Sequence, residues 1–118
     1  MRLEAKKYLY DIQRAAEEIA EFTTGKQLAD YEREPMLRRA VERAFTIIGE
    51  ALARLAKTDA PVGKRISQHE RIIAFRNVLI HAYAEVDDCL VWDIVQTDLP
   101  LLRQQAADLL REAEEGRK

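Results

Sequence analysis

Between Leu37 and Leu55, apolar residues recur every three or four positions: Leu37, Ala40, Val41, Ala44, Ile48, Ala51, Leu52 and Leu55. That spacing places them on one side of a helix of about five turns. Arg38, Arg39, Glu42, Arg43 and Glu50 fall largely off the stripe. A helix of this kind must bury its stripe, and the rest of the chain offers more helices to cover it. Leu9, Ile12, Ala16 and Ile19 predict a first helix from about Leu3 to Phe22, with Asp11, Arg14, Glu17, Glu18 and Glu21 on its wet side. Thr24, with Gln27 as capping-box partner, predicts a short helix over Gly25 to Tyr31. Pro35 fits the first turn of the long helix, where its missing N–H costs nothing. That helix is expected to end before Thr58-Asp59-Ala60-Pro61, with a loop running through Gly63. Ser67, three residues before Glu70, reads as a capping box opening a helix from Gln68 to about Ala82. Asp87 caps a last segment, Asp88 to about Glu114, with a break near Thr97 and Pro100. No segment alternates with period two, so no strand is expected. The prediction is all-α, an antiparallel four- to five-helix bundle forming one domain over residues 1–118.

Composition narrows the chemistry. One cysteine excludes an internal disulfide. Cys89, His69 and His81 have no spacing typical of zinc ligands, so no metal and no cofactor are expected. The net charge of −2 excludes a globally basic nucleic-acid binder but leaves room for a local basic cleft. The Met1–Tyr10 segment is charged and lacks the apolar run of a signal peptide. Apolar stretches such as Val78 to Ile80 are far too short for a membrane span. A cytoplasmic protein is therefore expected.

The helix after Ser67 holds the one asparagine and one of the two histidines. At 100° per residue, Ile72, Phe75, Leu79 and Ala82 share the face that contacts the core, with Val78 at its edge. Glu70, Ala74, Asn77 and His81 lie nearly opposite. Ile73, Arg76, Ile80 and Tyr83 occupy one flank. Asn77 and His81, four residues apart, are helical neighbours, so the amide can orient the imidazole. Arg76 and His81 stand about 140° apart around the axis and do not touch directly. The second apolar patch, Ile73 with Ile80, suggests a homodimer. An arginine provides a permanently charged fork for a phosphate, and a histidine exchanges a proton near neutrality. Together they suffice for metal-free cleavage of RNA: the 2′-hydroxyl attacks phosphorus, His81 assists proton transfer and Arg76 stabilises the phosphoryl charge. On these residues alone a solvated surface stays open as the alternative. The same holds for Arg38, Arg39, Lys64, Arg65 and Arg71, readable either as a basic rim for RNA or as an ordinary charged face.

The run Arg76-Asn77-Val78-Leu79-Ile80-His81-Ala82-Tyr83 resembles the signature of HepT-type toxins in the HEPN superfamily. Arg43-Ala-Phe-Thr-Ile-Ile-Gly49-Glu50-Ala51 resembles that family's second signature, on the preceding helix. The resemblance covers most of the chain. It implies a helical bundle that dimerises and brings two motif copies to a shared cleft. It implies a metal-independent ribonuclease in a type VII-like toxin–antitoxin system, with Arg76 and His81 catalytic and Asn77 a polar auxiliary. A MntA-like minimal nucleotidyltransferase would act as antitoxin by transferring AMP from ATP to Tyr83. Arg43 and Glu50, seven residues apart on one helix face, would support the cleft. Some relatives serve only as helical binding partners of nucleotidyltransferases, and that alternative remains beside the enzyme.

Overall fold

The two strongest apolar stripes find each other. In the computed structural model, which describes residues 1–82 and 86–116, α1 (Leu3–Thr23) lies antiparallel along α3 (Pro35–Thr58). Leu9, Ile12 and Ile19 from one helix and Ile48, Leu52 and Leu55 from the other are fully buried. At about 1.5–3 kcal/mol for each side chain removed from water, this seam gives on the order of 10 kcal/mol before chain entropy is counted. Pro35 occupies the first turn of α3 as expected. The described residues form helices and connections only, an all-α bundle as expected.

The remaining helices cover that pair from two sides. The last helix, α7 (Leu99–Glu115), buries Leu99, Leu102, Ala106, Leu109 and Leu110 and packs on α1. The helix α5 (His69–His81) packs mainly against α3. Two short helices join the corners. In α2 (Leu28–Arg33), Tyr31 is buried with its ring 5.5 Å from that of Trp92 in α6 (Asp88–Asp93). Asp87 caps α6 as expected, accepting the Cys89 N–H at 2.9 Å.

Four local expectations are corrected or sharpened. Helix α2 starts at Leu28, because Thr24 Oγ1 donates back to the Ala20 carbonyl at 2.6 Å and closes α1 instead of capping α2. Gly25 then turns the chain with φ of 73°, a conformation costly to any residue with a β carbon. The expected loop after Thr58 contains a short helix, α4 (Ala60–Lys64), begun by Asp59 accepting the Val62 N–H at 3.3 Å. Ser67 makes no capping box: its N–H donates to Gln105 Oε1 at 3.1 Å, and Gln105 Nε2 donates to its hydroxyl at 3.2 Å. The break expected near Thr97 is a π turn, Ile94–Asp98, leading directly into α7.

Candidate active site on helix α5

Helix α5 is weakly amphipathic, and its seat is correspondingly narrow. Only Ile72, Phe75 and Leu79 are buried. The Phe75 ring meets Phe45 edge-on with centroids 5.4 Å apart, the preferred arrangement for two aromatic quadrupoles. One turn further along α3, Gly49 lets α5 approach closely. A β carbon at position 49 would lie 2.3 Å from Arg76 Cβ and 2.6 Å from Arg76 Cγ. The absence of a side chain at Gly49 is therefore what seats Arg76.

Arg76 is half-buried. Its Nε–H is buried with no hydrogen-bond acceptor, and it joins no ion pair among the described residues. A buried unmet donor on a permanent cation is costly unless a ligand satisfies it. His81 ends α5 and is exposed, as is Asn77. No hydrogen bond joins Asn77 to His81 among the described residues. On one helix Arg76 and His81 diverge by about 140°. Tyr83 lies outside the described residues.

Arg43 and Glu50 share a groove between α1 and α3 of about 260 Å³, which Lys7, Tyr8, Asp11 and Arg54 also line. The two do not pair there. Glu50 forms an ion pair with Arg54 at 3.6 Å and Lys7 donates to Asp11 at 3.3 Å, leaving Arg43 without an acidic partner among the described residues. The groove lies across α3 from the motif, for Gly49 faces α5 while its neighbour Glu50 faces the groove.

The five-residue basic rim is reduced by the structure. Arg38 donates to the carbonyls of Tyr31 and Glu32. Arg65 grips Glu112 through two bonds of 2.7 and 2.6 Å, which hold that carboxyl below its usual range. Arg71 binds Asp93 at 3.0 Å and Asp98 at 3.2 Å. Arg39 and Lys64 stay exposed, with no ion pair among the described residues. The Arg71 pairing escaped the sequence reading. Its only trace is two aspartates five residues apart just before Pro100, a spacing that no α turn brings together.

The all-α bundle, with its motif helix seated on a glycine of α3, agrees with the helical-bundle fold that the motif implies. The family model described as Ribonuclease HepT-like matches residues 12–109, and the chain belongs to that family. It is 34% identical over 102 residues to a Methanocaldococcus jannaschii protein named "Putative RNase MJ1380", covering 86% of this chain and 93% of the relative. It is 36% identical over 103 residues to "Probable ribonuclease HepT" of Thermococcus cleftensis, covering 87% and 93%. A third relative, "Putative RNase TTE0752" of Caldanaerobacter subterraneus, is 31% identical over 104 residues, covering 88% and 92%. No solved structure matches the chain. No helix among the described residues is long and apolar enough to cross a membrane.

Proposed function

We propose that this chain is a metal-independent endoribonuclease in which Arg76 and His81 do the chemistry. The observation that carries the reading is Arg76 itself: half-buried, without a carboxylate partner among the described residues, and holding a buried Nε–H that a phosphate oxygen would satisfy. The 2′-hydroxyl attacks the adjacent phosphorus and the bond to the 5′ oxygen breaks. The products are a 2′,3′-cyclic phosphate and a 5′-hydroxyl end. One proton leaves the attacking hydroxyl and one reaches the leaving oxygen, and His81 transfers one of them. Arg76 stabilises the charge on the phosphoryl oxygens. Asn77 is an auxiliary donor to the RNA.

A homodimer fits the divergence of the pair. One helix aims Arg76 and His81 to different sides, whereas two copies facing across a cleft would place four such groups around one RNA strand. Val78 and Ile80, 41% and 44% exposed, are apolar surface for that contact. Regulation by a nucleotidyltransferase antitoxin belongs to the same reading. AMP attached to Tyr83 would bring phosphate charge to the motif and compete with RNA. Arg43 and Glu50, in the groove across α3 from the motif, support the helix that carries Gly49 and not the cleft itself.

The test is RNA cleavage by the purified chain alone in EDTA. Wild type should cut single-stranded RNA, and His81→Ala and Arg76→Ala should not, with circular dichroism unchanged. Intact RNA with folded wild-type protein would overturn the enzyme reading and favour a binding subunit of a nucleotidyltransferase.

A further inference from the structure

Side chains five residues apart diverge by about 140° on an α-helix. In a π turn, whose hydrogen bonds span five residues, that divergence closes. The π turn Ile94–Asp98 thus brings the carboxylates of Asp93 and Asp98 to one side, and both meet a single guanidinium. Arg71 Nη2 bonds Asp93 Oδ2 at 3.0 Å, and Nη1 bonds Asp98 Oδ1 at 3.2 Å. Thr97 Oγ1 fastens the turn, contacting the Asp93 carbonyl at 2.7 Å and Asp98 Oδ1 at 2.8 Å. Asp98 is 5% exposed, and its Oδ2 has no partner among the described residues. Arg71 is its one ion-pair partner among the described residues, so the buried charge depends on that contact.

Arg71 stands five residues before Arg76 on α5. That helix packs mainly against α3, and Arg71 ties it to the turn between α6 and α7. Ser67 with Gln105 and Arg65 with Glu112 extend the same polar ladder onto α7. A planar fork held at both prongs fixes rotation as well as position, which a point charge does not.

We infer that Arg71 is a positioning residue: the two-carboxylate clamp built by the π turn sets the rotation and axial placement of α5, and with them Arg76 and His81. The inference rests on the reading of Arg76 and His81 as the ribonuclease pair. It predicts an effect on turnover and not on RNA affinity.

The experiment uses the full chain with Arg71→Lys, Arg71→Met, and Arg71→Met combined with Asp98→Asn. The last variant removes the stranded buried charge, so it tests the clamp even where Arg71→Met fails to fold. Steady-state cleavage of a short single-stranded RNA and the Arg76 Nε–H resonance are measured on the same samples. The double variant should lose about ten-fold or more in kcat, as expected for a misplaced catalytic group. Its KM should stay within about two-fold of wild type. Arg71→Lys should recover part of the loss, and the Arg76 resonance should shift in each variant that folds. An unchanged kcat in the double variant overturns the inference, as does a rise in KM alone, which would make Arg71 an RNA contact. Should wild type itself not cleave RNA, the ribonuclease reading fails separately, and the resonance decides: a shift sustains the positioning role and an unmoved signal overturns it.

Discussion

Gly49 on α3 and the side chain of Arg76 on α5 occupy one space: a β carbon on the first would stand 2.3 Å from the β carbon of the second. Neither helix can shift along the other without disturbing that fit. The proposed phosphate fork is thus set by a residue that contributes no atoms to the chemistry.

Gly49→Ala should separate activity from stability. The added methyl forces Arg76 and α5 outward, at an overpacking cost of about 1–3 kcal/mol. The better helix propensity of alanine returns about 1 kcal/mol. Urea unfolding should therefore show a net loss of no more than about 2 kcal/mol. RNA cleavage should fall by about 10²-fold, as when a preorganised charge-stabilising donor is displaced. Full activity in Gly49→Ala would show that the Arg76 position tolerates the shift.

Ile80→Asp tests the dimer. Ile80 is 44% exposed, so the substitution leaves the core intact. Light scattering after size exclusion should give twice the chain mass for wild type and the single mass for the variant, with helical content unchanged. A wild-type monomer that cleaves RNA would remove the shared cleft from the mechanism.

Incubation with ATP, Mg²⁺ and the cognate nucleotidyltransferase should add one AMP mass, or a multiple, to the peptide containing Tyr83. Tyr83→Phe should take none. Label on Tyr8, Tyr10 or Tyr31 would overturn the assignment, and buried Tyr31 serves as an internal control for unfolding.

The Arg65–Glu112 pair predicts the acid limb of stability. Bonding to Arg65 lowers the Glu112 carboxyl below its ordinary value. A depressed carboxylate contributes fully above its unfolded value of about 4.3 and loses that contribution as pH falls through the folded value. Glu112→Gln should therefore flatten the decline of Tm below about pH 4.5 while changing little in shape near neutrality. An unchanged slope would mean that the pair is screened to nothing by solvent.

The long helices were legible because a stripe of period 3.6 needs no partner to be seen. Leu9 to Ile19 and Leu37 to Leu55 announced α1 and α3 within a residue or two. The capping errors share one cause. Thr24 and Ser67 have the right residues at the right spacing, but each found a better hydrogen bond, Thr24 within α1 and Ser67 on α7. The motif helix was sorted correctly at its two extremes, Ile72, Phe75 and Leu79 being buried and Asn77 and His81 exposed, but Val78, expected at the core edge, is 41% exposed, and Ile73, expected in the free patch with Ile80, packs on the core. The spatial role of Gly49 could not be read, since it depends on which residue of another helix arrives there. Arg71 was hidden for the same reason. Its partners come together only through a π turn, and helical periodicity assumes there is none.

The narrow seat of α5 has a consequence for control. Three buried side chains and the Arg71 clamp hold the helix that carries the proposed chemistry, whereas α1 alone buries seven residues. Segments with few apolar contacts open at lower free energy than the molecule as a whole. The chain is therefore built in two tiers, a durable α1–α3–α7 platform and a lightly moored α5 upon it. A partner that gripped α5 would have to overcome only the mooring, and the platform would stay folded beneath it.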